Sequence, residues 1–231
     1  MRCIIMAAGS GERWRGADGE PFGGVPKHLC EPDGEPLLTR TTRQLTERGI
    51  TDVMVSGPAY YAEYVPAHVE VFTPDVLADT DEWLGATKFA NTEPFWNTLG
   101  RTIICYGDVW FSDAGLDTIL ASDEREWLNW CRFTGSKTNT LPGHRSFGEN
   151  WAVSFWPEHH GRYRDAIKAA AEAHRAGQLK RSGGWEIARA MAGATGEAMR
   201  FHRRYPCYRY IDDRTEDFDK PEDFDAWQAT R

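Results

Sequence analysis

Short, mostly apolar runs separated by helix-length segments are the feature that most restricts the fold of this chain. Four such runs come in the first half, at residues 3–8, 53–55, 69–72 and 101–106. Residues 36–45 between the first two runs have apolar side chains at helical spacing, and Gly49 marks the end of that helix. Strands that alternate with helices predict βαβ units and a parallel sheet.

The rest of the chain continues the alternation less regularly. A loop is expected at 134–150, between two strand-like runs at 127–133 and 151–156. A last strand is expected at 199–203. Helical patterns occupy the segments 84–96, 114–120, 162–176, 185–191 and 221–227. Asp113 is expected to cap the helix that starts at 114.

The first strand-like run breaks into a glycine turn, Gly9-Ser10-Gly11. Without Cβ atoms the backbone of such a turn approaches a ligand closely, and successive N–H groups form a concavity that suits an anion. Arg13 and Lys27 add two cations nearby. Strand, turn and cations together indicate a polyphosphate site.

Two common phosphate-binding motifs are absent from this region. No Gly-Lys-Ser/Thr follows the glycines, so the Walker A pattern is missing. The dinucleotide fingerprint fails because Trp14 stands where its third glycine belongs. A glycine turn alone is therefore a weak signal.

Two groups of carboxylates are further candidates. Asp108 follows an apolar strand, at the strand end where open α/β sheets bind ligands, although it is also well placed to cap a turn. The acidic run 212–223 is typical of a solvated surface. Within it, Glu222 and Asp223 suit the first turn of a helix that starts with Pro221.

The whole string Ala7-Ala8-Gly9-Ser10-Gly11-x-Arg13, followed by Pro26-Lys27-x-Leu29, resembles the signature of the nucleotidyltransferases. These enzymes join a nucleoside triphosphate (NTP) to a phosphorylated acceptor. Gly107-Asp108 and the segment from Asp217 to Asp223 resemble two later motifs of the same family. The resemblance covers little of residues 125–205.

The resemblance implies a Rossmann-like α/β fold of the kind also found in GT-A glycosyltransferases, with a mixed, mostly parallel sheet flanked by helices on both faces. It implies one nucleotidyltransferase domain over residues 1–231. Within it, residues 125–205 would form a smaller acceptor-binding insertion, with contacts expected from the polar side chains of 136–156: Asn139, His144, Arg145, Glu149 and Asn150.

The resemblance also implies site residues. Lys27 and Arg13 would be catalytic, and Mg²⁺ would be held by Asp108 and Asp219, with Asp217 and Asp212 as the other aspartates that compete for the second position. The nucleotide would contact Ala7, Ala8, Gly9, Ser10, Gly11, Arg13, Lys27, Gly85 and Thr87. The expected partners are an NTP and a phosphorylated small molecule, a sugar phosphate or an alcohol phosphate, and pyrophosphate would be released.

Charge and cysteine content restrict the possible partners and the cellular location of the protein. A formal net charge of -8 argues against general binding to nucleic acid or anionic membranes. The five cysteines include no CxxC pair, so neither zinc nor a disulfide framework is indicated. No leader and no long apolar run is recognisable, so a cytoplasmic protein is expected. The sequence predicts no oligomeric state, and it identifies neither the base nor the acceptor.

Two rival functions remain open at this point. One is a GT-A-type glycosyltransferase that uses a nucleotide sugar, although such enzymes lack the Gly-x-Gly-x-Arg and Pro-Lys string. The other is a nucleotide-binding regulatory module without turnover. The released product distinguishes the three functions. A nucleotidyltransferase releases pyrophosphate, a glycosyltransferase releases a nucleoside diphosphate, and a regulatory module releases neither.

Overall fold

A computed structural model describes residues 1–9, 11–74, 85–134, 148–200 and 204–230. The strands in these residues are β1 (Arg2–Met6), β2 (Val53–Ser56), β3 (Glu70–Phe72), β4 (Thr102–Tyr106), β5 (Val109–Trp110), β6 (Leu128–Arg132), β7 (Glu149–Phe155), β8 (Tyr208–Tyr210) and β9 (Glu216–Asp217). The α-helices are α1 (Leu37–Glu47), α2 (Ala86–Ala90), α3 (Asp113–Ala121), α4 (His160–Arg175), α5 (Gly184–Met191) and α6 (Pro221–Ala229). Short 3-10 helices include Lys27–Leu29 and Gly196–Arg200.

Seven of the described strands form one sheet in the order β3-β2-β1-β4-β7-β6-β8. Strands β3, β2, β1 and β4 are parallel, β7 is antiparallel to β4 and β6, and β8 is parallel to β6. The predicted mixed, mostly parallel sheet is therefore confirmed. Strands β5 and β9 form a separate two-stranded ribbon.

Each face of the sheet is covered by helices. Cys3 and Ile5 of β1 belong to one buried cluster with side chains of α1 and α3. Ile4 and Met6 point to the other face and belong to a second cluster with side chains of α2, α4 and α5. Because side chains alternate along a strand, an apolar run supplies both cores at once. None of the described helices has the length and apolar character needed to span a membrane.

The helix predicted at 84–96 is shorter than expected. Helix α2 ends at Ala90 and a 3-10 turn follows at Glu93–Phe95. Pro94 has no N–H to donate, which interrupts a continuous helix. Leu84 lies outside the described residues.

Two other local predictions were wrong. Ser112 caps α3, since its Oγ accepts a hydrogen bond from the Gly115 N–H (2.8 Å), and Asp113 is the first helical residue. The expected strand at 199–203 is replaced, in its described part, by the Gly196–Arg200 turn. An apolar residue stands at position 199 because its side chain packs beside Ala173 and Leu179, near the end of α4.

The β5–β9 ribbon brings the C-terminal segment to the end of β4. Val109 pairs with Asp217, and the Phe218 N–H donates to the Asp108 carbonyl (3.0 Å). An ion pair fixes the ribbon to the main sheet, because Arg132 of β6 donates to the Glu216 carboxylate (2.8 Å) and both side chains are 2% exposed.

Replacing Glu216 with alanine is expected to lower the free energy of unfolding by about 3 kcal/mol, because the Arg132 guanidinium would stay buried without its carboxylate. Urea unfolding followed by tryptophan fluorescence measures the change. Glu63→Ala, which removes an exposed carboxylate outside the ribbon, is the matched control. Equal unfolding midpoints for the two variants would contradict this role of the ion pair.

Candidate functional site

A cleft of about 790 Å³ opens beyond the carboxyl ends of β1 and β4. Open α/β sheets bind ligands in this position. Seven of the residues predicted for the site line the cleft: Gly9, Arg13, Lys27, Gly85, Asp108, Asp217 and Asp219. They come from five separate segments of the sequence, at 9–13, 27, 85, 108 and 217–219.

The glycine turn lies beside Asp108 because β1 and β4 are neighbours in register. Met6 pairs with Tyr106, and the Gly107 N–H donates to the Met6 carbonyl oxygen (3.0 Å). A Cβ atom on Gly107 would lie only 2.9 Å from that oxygen. Glycine at this position therefore permits the close approach that places Asp108 at the cleft.

Lys27 begins a 3-10 turn whose other two side chains are buried. Leu29 enters the core beside α1, and the His28 Nδ1 lies 3.0 Å from the Tyr61 hydroxyl oxygen. Burial of these two neighbours fixes the backbone from which Lys27 extends into the cleft.

The predicted cations and carboxylates of the site contact one another. The Lys27 ammonium donates to the Asp108 carboxylate and lies 3.7 Å from Asp219 Oδ1. Arg13 contacts both carboxylate oxygens of Asp219, Nη1 to Oδ2 at 2.7 Å and Nη2 to Oδ1 at 2.8 Å. Such two-point contacts are strong and directional. Four side chains separated by up to 206 positions thus form one ionic network.

Burial and charge act in opposite directions on this network. Burial alone lowers the pKa of Lys27, but the negative charges of Asp108 and Asp219 outweigh it and raise that pKa above its ordinary value. Burial likewise raises the pKa of Asp108, and the charge and hydrogen bond of Lys27 reverse the effect, so this carboxyl has a pKa well below its usual range. Both groups are therefore charged at neutral pH.

Asp219 is fixed from the C-terminal side by Asp223. The Asp223 Oδ2 accepts hydrogen bonds from the backbone N–H groups of Asp219 (3.0 Å) and Lys220 (2.9 Å). The acidic segment just before α6 is thus ordered, and its aspartates have defined directions.

A group of carboxylates lies in the same part of the cleft. Oxygen atoms of Glu149, Asp217 and Asp219 lie within 4.8 Å of one another, and both aspartates are buried. Hard oxygen donors at this spacing suit Mg²⁺ or Ca²⁺. The chemistry of this donor set therefore fits the divalent metal that the sequence motifs imply.

Several predicted nucleotide contacts, and the alternative metal ligand Asp212, are not among the residues that line the cleft. Ala7 and Ala8 are buried, and Gly11 adopts a φ of +66° in a turn where Trp14 N–H donates to its carbonyl (2.8 Å). Thr87 is buried in α2, and Asp212 is exposed. Ser10 lies outside the described residues.

Gly85 both lines the cleft and joins two helix starts. Its φ is +85°, and a Cβ atom there would lie 3.1 Å from backbone atoms of Gly183. The start of α2 thus packs directly against the start of α5. Glycine at 85 is explained by this close approach as well as by any ligand contact.

On the side expected to bind the acceptor, Glu149 and Asn150 line the cleft, whereas Asn139, His144 and Arg145 lie outside the described residues. The structure adds lining residues that the sequence analysis missed: Lys88, Tyr106, Arg181, Trp185, Glu186 and Lys220. Lys88 could have been identified from the sequence, because it directly follows Thr87, a predicted nucleotide contact. Tyr106 directly precedes the Gly107-Asp108 motif and Lys220 lies within the motif of 217–223, whereas Arg181, Trp185 and Glu186 come from a segment without a recognisable motif.

No protein-family model matches the sequence, and no curated protein is significantly similar to it. Solved structures do match. The CTP:phosphocholine cytidylyltransferase of Streptococcus pneumoniae superposes with a TM-score of 0.57 at 14% identity, over 99% of this chain and 98% of that one. This chain shares the fold of that cytidylyltransferase.

Two further structures agree. A protein of Bacillus anthracis described as a glucose-1-phosphate thymidylyltransferase gives a TM-score of 0.62 at 14% identity, over 100% of this chain and 94% of that one. The inositol-1-phosphate CTP transferase of T. maritima gives 0.55 at 15% identity, over 98% and 94%. The predicted Rossmann-like α/β fold is confirmed at this level.

The buried His28 gives a pH prediction. Burial, and then the charge of Lys27, lowers the pKa of His28 to about 3, whereas the unfolded chain has a histidine pKa of about 6.5. Below pH 6.5 the unfolded state therefore takes up a proton that the folded state does not. The free energy of unfolding therefore decreases as the pH falls from 6.5 towards 3, by up to about 1.4 kcal/mol per pH unit. Above pH 6.5 His28 has no such effect.

Urea unfolding of wild type and His28→Gln between pH 7 and pH 4 tests this linkage. Glutamine can still hydrogen-bond Tyr61 but takes up no proton, so the unfolding free energy of the variant should decrease less steeply with falling pH. Parallel curves for the two proteins would show that His28 is not the group responsible.

Proposed function

We propose that the protein transfers a nucleoside monophosphate from an NTP to a phosphorylated small molecule, with release of pyrophosphate. The observation that supports this most directly is the convergence of Arg13, Lys27, Asp108 and Asp219 beside the glycine turn, in the cleft of a nucleotidyltransferase fold. The fold alone would not be sufficient, because related sheets serve several chemistries.

In this reaction an oxygen of the acceptor phosphate attacks the α-phosphorus of the NTP. The bond from the α-phosphorus to the bridging oxygen breaks, and pyrophosphate leaves with that electron pair. The acceptor phosphate is already ionised, so no general base is required. The protein contributes position and charge neutralisation.

Each cation of the network has a role in this proposal. Arg13, whose side chain is 56% exposed, can turn from Asp219 to the triphosphate and offer its two-point contact to phosphate oxygens. Lys27 is more deeply placed and would neutralise charge that develops on the α-phosphoryl oxygens. Phosphate binding would therefore replace the carboxylate partners of these cations.

We propose Mg²⁺ as the cofactor, held by Asp108 and Asp219, the pair favoured by the motifs, together with Asp217 and Glu149, which lie beside Asp219. When bound, Mg²⁺ neutralises phosphate charge and orients phosphate oxygens. Arg13 and Lys27 would then be paired with phosphate groups, and the carboxylates that they contacted before would be paired with Mg²⁺. The remaining cleft wall, which includes Asn150 and Trp185 of the 125–205 region, is proposed to receive the acceptor.

A pyrophosphate-release screen tests the proposal. Each of the four common NTPs is incubated with Mg²⁺ and a panel of sugar 1-phosphates, phosphocholine and other alcohol phosphates. Pyrophosphate released only when an acceptor is present supports nucleotidyl transfer. Release of a nucleoside diphosphate from a nucleotide sugar would favour the glycosyltransferase, and NTP binding without product would favour a regulatory module.

Lys27→Ala is expected to lower kcat about a hundredfold in the pyrophosphate assay, the magnitude found when one oxyanion-stabilising donor is lost. Steady-state kinetics with the best NTP and acceptor measures the change. Lys168→Ala removes an exposed lysine of α4 and serves as the control. A Lys27→Ala enzyme with wild-type turnover would remove Lys27 from the mechanism.

Asp108→Ala is expected to weaken NTP binding in the presence of Mg²⁺ while affecting it much less in EDTA, because the variant loses a carboxylate proposed to hold the metal. Calorimetric titration with and without Mg²⁺ makes the comparison. An unchanged dependence of NTP affinity on Mg²⁺ would exclude Asp108 from the metal site.

A further inference from the structure

We propose that Lys88 is a third phosphate-binding cation of the cleft and that it favours a triphosphate over shorter phosphate chains. No motif in the sequence assigns this residue a role. The inference rests on the proposed function, since it concerns the polyphosphate part of that same site.

The position of Lys88 is the first observation. Its Nζ lies 3.5 Å, and its Cε 3.8 Å, from the point that a Cβ atom on Gly9 would occupy. The ammonium group therefore lies beside the glycine turn, in van der Waals contact with the point where a side chain on Gly9 would begin. A phosphate bound by the backbone of this turn would lie within reach of it.

The support of Lys88 is the second observation. The neighbouring side chains Ala86 and Phe89 are buried in the core beneath the sheet. At the helix start, the Ala86 N–H donates to the Ser182 Oγ (3.3 Å), and Gly85 packs against Gly183. Helix α2 is thus held on two sides, so that the stem of Lys88 starts from a fixed point.

The charge balance is the third observation. The cleft lining carries five cations, Arg13, Lys27, Lys88, Arg181 and Lys220, and five carboxylates, Asp108, Glu149, Glu186, Asp217 and Asp219. Without Lys88 the carboxylates would outnumber the cations, which disfavours binding of a polyphosphate. Lys88 balances the charge of the lining, and it does so at the glycine turn.

The positive charge of Lys88 also acts on the ionic network around Lys27. It is among the charges that lower the pKa values of Asp108 and of His28, after the larger effects of burial and of Lys27. Lys88 therefore belongs to the same electrostatic environment as Lys27, and its position beside the glycine turn suits a different phosphate group of the same chain. A longer phosphate chain can use both cations, whereas a single phosphate group can use only one fully.

The test uses the full chain and inorganic tripolyphosphate, pyrophosphate and phosphate as probes, with Mg²⁺ in isothermal titration calorimetry. Lys88→Ala is expected to weaken tripolyphosphate binding about tenfold or more, the cost of losing a hydrogen bond between charged groups, and to change phosphate binding little. Lys88→Gln, which keeps the stem, should lose nearly as much affinity. Lys168→Ala is the matched control, and circular dichroism confirms that each variant is folded.

The outcomes separate this inference from the proposed function. Equal tripolyphosphate affinity in wild type and both Lys88 variants, or no binding to wild type at all, overturns the role of Lys88. So does an equal loss of affinity for all three probes, which contradicts the preference for longer chains. Loss confined to tripolyphosphate supports it, even if the NTP screen releases no pyrophosphate and the proposed transfer reaction fails.

Discussion

The ionic network around Lys27 is the constraint on which the rest of the site depends. Its ammonium group contacts Asp108 and lies near Asp219, while Arg13 binds Asp219 from the other side. Partly buried charges are costly without partners. The glycine turn, the Lys27 turn, the end of β4 and the segment before α6 must therefore meet in one place, and the fold provides that place.

The same network suggests how the cleft changes when ligands bind. Cations and carboxylates of the network neutralise one another, so a polyphosphate that takes the cations would leave buried negative charge behind. A metal ion bound by those carboxylates would offset it. Binding of an NTP and binding of a divalent cation should therefore favour each other, as reciprocal linkage requires.

Much of the fold was predictable because periodicity depends on local sequence. The apolar runs gave β1, β2, β3 and β4, and the motifs indicated which residues would converge. That Gly9 and Asp108 lie at the same edge of the sheet could be inferred from the rule that ligands bind at strand ends. The register of β1 against β4, which brings them together, is known only from the structure. The separate β5–β9 ribbon was not predictable, because two-residue strands carry no periodic signal.

Other features escaped prediction because they depend on contacts between distant segments. Gly85 faces Gly183, Glu149 lies near Asp217, and Lys88 reaches Gly9 only in three dimensions. The Met199 pattern indicated burial correctly, yet burial beside α4 requires no strand. Periodicity thus located the helices and strands, whereas the arrangement of the charged side chains on the cleft wall could be determined only from the structure.

The most direct test of the account is a crystal structure of the protein with Mg²⁺ and a non-hydrolysable NTP analogue. The account predicts the triphosphate at the Gly9 turn, within hydrogen-bond distance of Lys27 and of an Arg13 that has left Asp219, with Mg²⁺ on the freed carboxylates. A triphosphate bound elsewhere, with the Arg13–Asp219 pair intact, would contradict it.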